Sequence, residues 1–381
     1  MRVALVHEFL TQMGGAERVL AAFHEIFPEA PIYTLVYDPL KTNGFFDSWD
    51  IRTSQLQKLP GLPENYKWYL PLMPKAIESI NFEKYDLILS DASAFAKGVI
   101  TKKPTLHICY CHTSTRYLWQ DMDGYVSSIP RSSIVKFAVK AYLKHFLKSW
   151  DYKAAQRPDF FVANSRTVHD RIKEHYHRDS EVIYPPVDTG LFTSSPPAPL
   201  PVGEGGRRPG EGEDYFFTAS RLEPYKKIDL VIEAFNQLDL RLKVAGTGSQ
   251  FLNLKSQIKN PRIELLGRVS DEQLRNLYSN ARAFIFPSLE DAGLMVPEAL
   301  ACGTPVLAYG QGGSAEYIKH GGNGVLFQDQ TVQSLLSAVK KLPDYKFDPL
   351  KLRQSVRHLD REIFKKKIIK FIEEKINAHR N

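Results

Sequence analysis

Pro287-Ser-Leu-Glu290-Asp-Ala-Gly293-Leu-Met-Val-Pro297-Glu298-Ala-Leu-Ala-Cys-Gly303-Thr-Pro305-Val306 is the stretch whose reading decides the fold. The apolar run before it, Ala283-Phe-Ile-Phe286, has the length and make-up of a buried parallel strand. Gly293 permits a tight backbone path, and Pro297 suits the first turn of a helix through Glu298, Ala299 and Leu300. The order is thus strand, loop, helix, with Glu290 on a loop at a strand's carboxyl end and Glu298 near a helix start. In open parallel sheets ligands bind in the crevice outside those carboxyl ends. Ionised carboxylates only accept hydrogen bonds, so a pair facing such a crevice suits the vicinal hydroxyls of a sugar. Two solvated glutamates flanking a loop are the competing reading.

The run Ser220-Arg221-Leu222-Glu223-Pro224-Tyr225-Lys226-Lys227 has the same setting. Tyr215-Phe-Phe-Thr-Ala219 precedes it as a strand, and an apolar face built from Ile228, Leu230, Val231, Ile232, Ala234 and Phe235 follows as a helix. Arg221 and Lys226 therefore stand between a strand end and a helix start. A planar guanidinium fork and an ammonium point charge there match a diphosphate, and helix N-terminal amides add partial positive charge.

Working outward, short apolar runs alternate with helical patterns twice over. Strands are predicted at Val3–Val6, Ile32–Val36, Leu87–Leu89, Leu106–Cys111 and Phe160–Ala163. In the second half they are predicted at Tyr215–Ala219, Arg241–Ala245, Ile263–Leu266, Ala283–Phe286 and Pro305–Ala308. Helices are predicted at Ala16–Ile26, 228–238, 271–279, 296–302 and 359–377. The alternation argues for an α/β chain with parallel sheets covered by helices on both faces. Proline and glycine saturate 194–213, which divides a first domain, 1–193, from a second, 214–358.

The 381 residues allow two or three domains, and 43% hydrophobic residues is ordinary for a globular chain. No apolar run is long enough to span a bilayer. The opening Met1-Arg-Val-Ala-Leu-Val-His7-Glu8 reads as a first strand rather than a secretory signal. Three cysteines indicate no disulfide framework, which fits a reducing cytoplasm. The net charge of +7 is concentrated: segment 131–157 has seven basic residues against one acidic. Lys136, Lys140, Lys144 and Lys148 recur every four residues, which lays them along one helical face among Ile134, Phe137, Phe146 and Trp150. A basic amphipathic helix of this kind can lie on an anionic membrane surface. Nothing in the charge pattern asks for a nucleic acid.

In this order the motifs resemble the family-4 retaining glycosyltransferases of the GT-B fold. Their pattern is an Arg-Leu-x-x-x-Lys phosphate grip, a Gly-x-Gly turn, Glu-x7-Glu and a Gly-x-Pro-Val strand. This chain reads Arg221-Leu222…Lys226, Gly246-Thr-Gly248, Leu266-Gly267-Arg268-Val269, Glu290…Glu298 and Gly303-Thr-Pro305-Val306. In the first half, Gly14-Gly15-Ala-Glu17-Arg18 follows the opening strand. Cys109-Tyr-Cys-His112-Thr-Ser-Thr-Arg116-Tyr-Leu-Trp119 resembles a segment of bacterial O-antigen and related polysaccharide mannosyltransferases.

The resemblance implies two Rossmann-like, doubly wound parallel-sheet domains facing a central cleft, with the final helix crossing back onto the first. It implies transfer with retention from a nucleotide-diphosphate sugar, GDP-mannose by the His112–Trp119 segment, to a hydroxyl of a lipid-linked glycan. Arg221 and Lys226 would stabilise the departing diphosphate. Glu290, with amides near Gly293 and Leu294, would orient the sugar, and Glu298 would hold the ribose. The base would lie near Gly246, Arg268 and Val269. His112 would meet the donor sugar, with Arg116, Tyr117 and Trp119 framing the acceptor and Trp119 offering a stacking surface. Gly14 and Gly15 would let backbone amides approach a phosphate or the acceptor, and Glu17 reads as a first-turn residue favoured by the helix dipole. No cofactor and no metal ion is implied, and the protein would sit peripherally at the inner face of the cell membrane. Glu290-Asp-Ala-Gly293 departs from the family's commoner Glu-Gly-Phe-Gly. A nucleotide-sugar epimerase of the same fold, and a catalytically silent membrane-associated partner in polysaccharide assembly, stay open as alternatives.

Three further motifs weigh against themselves. Asp121-Met-Asp123 has the spacing of a divalent-metal motif, but no apolar strand precedes it. Gly246-Thr-Gly248-Ser-Gln-Phe251 has phenylalanine where a dinucleotide fingerprint needs its third glycine. His107, Cys109, Cys111 and His112 are too crowded for a closed zinc site and read as a central strand with buried thiols.

Overall fold

The computed structural model describes residues 1–129, 131–193 and 215–380; the segment 194–213 lies outside them. The chain divides into two compact units, Met1–Pro186 with Glu362–Asn381, and Val187–Arg361. The first crossing thus falls at 186/187, ahead of the position 193 read from the proline-rich segment.

Unit 1 is built on a seven-stranded sheet in the order β3-β2-β1-β4-β5-β6-β7. Its strands are β1 Val3–Leu10, β2 Ile32–Tyr37, β3 Ile51–Thr53, β4 Leu87–Ala92, β5 Leu106–Cys111, β6 Phe160–Ala163 and β7 Glu181–Val182. Every pairing is parallel. The central strands are buried on both faces, as parallel strands covered by helices must be. Chain order runs one way from β1 to β3 and the other way from β4 to β7, so the switch point lies between β1 and β4. The last helix, Arg361–Arg380, belongs to this unit and buries Phe364, Ile368, Phe371 and Ile372 against Leu5, Leu20, Phe23 and Tyr110. Each such side chain contributes about 1.5–3 kcal/mol.

The basic stretch is less regular than its four-residue lysine period predicts. Ser133–Tyr142 is an α-helix with no buried residue. Leu143–Leu147 then winds wider, with i→i+5 bonding, before α-helix resumes over Lys148–Ala154. The wide turn breaks the face on which the four lysines were placed. Lys136 donates to the Ser127 carbonyl at 2.8 Å, and Lys140 pairs with Asp123 at 2.5 Å. Lys148 instead lies over the Trp119 ring, 4.2 Å from its centroid.

Unit 2 carries a six-stranded sheet in the order β10-β9-β8-β11-β12-β13. These are β8 Tyr215–Ala219, β9 Arg241–Ala245, β10 Ile263–Gly267, β11 Ala283–Phe286, β12 Val306–Tyr309 and β13 Gly324–Phe327. All pairings are again parallel. Its switch point lies between β8 and β11. The helix Ile228–Phe235 follows β8 and packs Val231, Ile232 and Phe235 into the core with Phe216, Leu242 and Ile285.

Candidate active site

The two loops singled out in the sequence leave the two strands that flank unit 2's switch point. Arg221 and Lys226 follow β8, and Glu290 follows β11. The Lys226 ammonium is in direct ionic contact with Glu290 Oε1, and the two side chains are 14% and 18% exposed. Ser288 donates to the Lys226 carbonyl at 3.1 Å, which ties the second loop to the first. Arg221 Nη2 donates to the Tyr225 hydroxyl at 3.1 Å, and Lys226 also lies 5.1 Å from the Tyr225 ring centroid. Both cations and one carboxylate are thus gathered at one sheet edge.

The neighbouring strand ends are stitched to the same place. Ser220 N donates to Ala245 O at 3.1 Å, Leu222 N to Thr247 O at 2.9 Å, and Gly246 N to Gly267 O at 2.7 Å. Gly246 has φ 132, and a Cβ on it would sit 1.8 Å from the Ser220 carbonyl oxygen, so only glycine lets these loops close. Arg268 follows β10 with an exposed side chain, and Val269 is half-buried. Gly293, φ 62, would drive a Cβ to 2.5 Å from Ser314 Cβ. Leu294 then caps the helix Met295–Ala301, in which Glu298 is buried at the fourth position. The order β10-β9-β8-β11 therefore brings Gly246, Arg268, Val269, Arg221, Lys226, Glu290, Gly293 and Leu294 to the carboxyl side of unit 2's sheet.

In unit 1 the polar groups at the switch point come from the strands themselves. His7 on β1 lies opposite Asp91 on β4, and its Nδ1 donates to Asp91 Oδ2 at 2.8 Å. Asp91 Oδ1 is in direct contact with His112 Nε2, just beyond β5. On its other side, His7 Nε2 is 3.8 Å from Glu17 Oε1 in the first turn of the helix Gly15–Ile26. Burial alone would discharge the His7 ring, but the bond to Asp91 and the neighbouring Glu17 carboxylate outweigh it and raise its pKa to about 10. For Asp91, burial opposes the charge; the bonds from the His112 and His7 rings prevail and lower its pKa. Glu8, also buried, accepts from the amides of Ser93 at 2.8 Å, Ala94 at 2.5 Å and Ala96 at 3.1 Å, which fixes the loop after β4.

The loop from His112 to Trp119 is held from below by a buried ion pair. Lys97 donates to Asp151 Oδ1 at 2.6 Å and to Thr115 Oγ1 at 3.0 Å. Asp151 Oδ2 accepts from Trp119 Nε1 and from the Tyr176 hydroxyl, each at 2.8 Å. Thr115 takes the left-handed conformation, φ 51, that lets the chain turn into the helix Arg116–Trp119. The Trp119 ring stacks on His175 at 4.9 Å as well as under Lys148, so in this structure its faces serve packing rather than an open stacking surface. Gly14 caps the helix Gly15–Ile26 with no side-chain bond, at the same sheet edge.

Glu17 stands in the first turn of its helix, as read, and is in addition buried against His7. No motif in the sequence marks His7, Asp91, Lys97 or Asp151 as a site residue. Asp121 is a helix cap, accepting from Gly124 N at 3.0 Å. His107 bonds Ser90 at 2.8 Å, while Cys109 and Cys111 are buried thiols pushed upward in pKa by burial. Among the described residues no group of histidine, cysteine or acidic side chains is arranged to hold a metal ion.

Comparisons with known proteins meet this geometry from both halves. A family model described as Glycosyltransferase Family 4 matches residues 13–191, and one described as Glycosyl transferases group 1 matches residues 206–358. An uncharacterised glycosyltransferase of Methanocaldococcus jannaschii is 28% identical, over 90% of this chain and 88% of its own length. The O-antigen chain mannosyltransferase RfbU of Salmonella typhimurium is 27% identical over 55% of this chain and 57% of its own. Among solved structures, sucrose-phosphate synthase of Thermosynechococcus elongatus superposes with a TM-score of 0.72 at 16% identity, over 99% of this chain and all of that one. HepE of Anabaena, in complex with UDP, does so with a TM-score of 0.69 at 19% identity, over 98% of this chain and all of that one. Two parallel sheets in sequence, each with its switch point, matched along most of the chain by these two models, place the protein among the glycosyltransferases of the GT-B fold.

Proposed function

We propose that the protein moves mannose from GDP-mannose, with retention, to a hydroxyl of a lipid-linked oligosaccharide in cell-surface polysaccharide synthesis. The observation that carries the donor reading is the Lys226–Glu290 contact beside Arg221 at unit 2's switch point. A diphosphate entering there meets Lys226 and Arg221 and frees Glu290 for the hydroxyls of the sugar. Amides near Gly293 and Leu294 share that grip, Glu298 takes the ribose, and the base lies by Gly246, Arg268 and Val269. In the reaction the bond from the anomeric carbon to the phosphate oxygen breaks, and the acceptor oxygen bonds to that carbon on the same face. The acceptor's proton passes to the leaving diphosphate. Arg221 and Lys226 stabilise the charge that develops on it, which gives the reaction a route without a metal ion. The roles proposed for unit 1 are Gly14 and Gly15 toward the acceptor and His112 toward a sugar hydroxyl.

Mannose is favoured by the likeness to RfbU and by the His112–Trp119 segment. HepE has been solved with UDP-glucose, so that donor is the competitor to test. The lipid-linked acceptor is supported by the helix Ser133–Tyr142, whose Ile134 and Phe137 are 81% and 76% exposed beside its lysines. Phe146, Trp68 and Leu72 are exposed in the same unit, and Arg131 lies over the Trp68 ring at 5.3 Å. Such a surface suits an anionic bilayer and supports the reading of a protein at the inner face of the cell membrane. No helix among the described residues is long and apolar enough to cross one.

A thermal-shift panel of nucleotide-diphosphate sugars tests the donor. GDP-mannose at a hundred times its dissociation constant stabilises by about 2.7 kcal/mol. Transfer of labelled mannose to a lipid-linked acceptor, undiminished by a chelator, completes the reading. A shift with UDP-glucose alone replaces the donor, and a shift with no nucleotide sugar overturns the proposal.

A further inference from the structure

The series Glu17–His7–Asp91–His112 is one line of contacts through unit 1, and the proposed transfer uses only its outer end. Glu17, His7 and Asp91 are buried, while the His112 side chain is 12% exposed. Glu17 does not cap its helix: the cap is Gly14, without a side-chain bond, and Glu17 Oε2 has no hydrogen-bond partner among the described residues. Its role is to face His7. Four ionisable groups in a row cost several kcal/mol each in desolvation, where an apolar strand end would have packed at no such penalty. Arrangements of this kind cluster at functional sites.

The geometry also orients the outer ring. His112 N donates to Ala92 O at 2.8 Å, and Asn164 Nδ2 donates to His112 O at 3.1 Å, so the backbone is pinned on both sides. The Tyr110 ring meets the imidazole edge-on at 5.3 Å. Nε2 is taken by Asp91 Oδ1. An ionised carboxylate only accepts, so the Nε2 proton stays on that side and the lone pair of the neutral ring is at Nδ1. Nδ1 has no partner among the described residues.

We propose that Glu17, His7 and Asp91 are positioning residues that hold His112 as the Nε2–H tautomer, with the Nδ1 lone pair presented to a hydroxyl of the sugar substrate. His7 donates to Asp91 from behind and keeps that carboxylate turned toward His112, and Glu17 does the same for His7. This rests on the reading of His112 as a residue that touches the sugar.

The test is a mutant cycle. In Asp91→Asn the amide can donate to Nε2, which moves the His112 proton to Nδ1. Turnover is expected to fall roughly a hundredfold with KM for the donor little changed. His7→Gln and Glu17→Gln should fall less, on the order of tenfold. In a His112→Ala background all three should cost less than about twofold, because the group they orient is gone. Full activity in Asp91→Asn, or equal losses in both backgrounds, overturns the proposal. Nitrogen-15 NMR of the histidine-labelled wild-type protein, with the His112 signals assigned by difference from His112→Ala, needs no other variant to fold. A neutral His112 ring protonated on Nε2 supports the proposal, and one protonated on Nδ1 ends it. A wild-type chain that transfers no sugar would refute the proposed function instead, and the NMR result would still decide the tautomer.

Discussion

The two units place polar groups at the same topological point in opposite ways. In unit 2 the groups at the switch point stand on loops: Lys226 and Glu290 follow β8 and β11, keep some exposure and hold each other. In unit 1 they stand within strands: His7 and Asp91 face each other in register and are sealed from water. Loop-borne charges can exchange one partner for another when a ligand arrives. Strand-borne charges cannot, and only the last of the series, His112, reaches the surface. The first arrangement suits binding, and the second suits orienting a neighbour.

Substitutions can break this contrast. Lys226→Ala and Glu290→Ala should each lower transfer by about a thousandfold, the order expected when a group that stabilises the transition state is removed, with little change in melting temperature. Labelled-sugar kinetics and a thermal melt check both halves, and normal turnover in both variants breaks the assignment. Lys97→Met in unit 1 should do the reverse. It leaves Asp151 buried without its cation and should cost about 3–5 kcal/mol in denaturant unfolding, an effect that a loop-borne pair would not give. Lys136, Lys140 and Lys144 changed together to glutamine should weaken binding to anionic vesicles roughly a hundredfold, at about 1 kcal/mol per charge. Unchanged sedimentation with vesicles would return the exposed helix to plain solvent contact.

The smallest effect is a slope. His7 is raised from 6.5 to about 10, so between those values the folded chain holds a proton that the unfolded chain has released. Its contribution is complete below pH 6.5 and is lost as pH rises through 10. His107, also buried, is lowered to about 3 by burial and the nearby charges of Arg157 and Arg178, so its penalty grows as pH falls below 6.5. Melting temperatures of wild type and His7→Gln between pH 6.5 and 10 should therefore differ in slope, with the wild type falling more steeply. Parallel curves would show that the ring is neutral.

The loop-borne groups of unit 2 were legible because they are close in sequence and bracketed by clear apolar runs. Tyr215–Ala219, Arg241–Ala245 and Ala283–Phe286 are strands as read, and the loops after them carry the charges. The strand-borne groups of unit 1 were hidden by the signal that finds strands. β1 was read as ending at Val6 and β4 at Leu89, because His7, Glu8, Ser90 and Asp91 interrupt the apolar pattern, yet both strands continue through them. His7 and Asp91 are 84 residues apart, and only the strand order makes them neighbours. The missed strands β3 and β7 are short edge pieces with polar residues, and β13 is four residues opening on glycine. None of these has enough apolar periodicity to register.

The wide turn at Leu143–Leu147 sets the phase of everything after it. Removing one residue there, such as Lys144, would let the segment wind as ordinary α-helix and rotate the following turns by about 100°. Asp151 would then swing away from Lys97, Trp119 and Tyr176 and drop the loop that carries His112. The extra residue works as a spacer, and it lets a surface segment rich in lysine and phenylalanine feed one aspartate into the interior at the angle its bonds to Lys97, Trp119 and Tyr176 require.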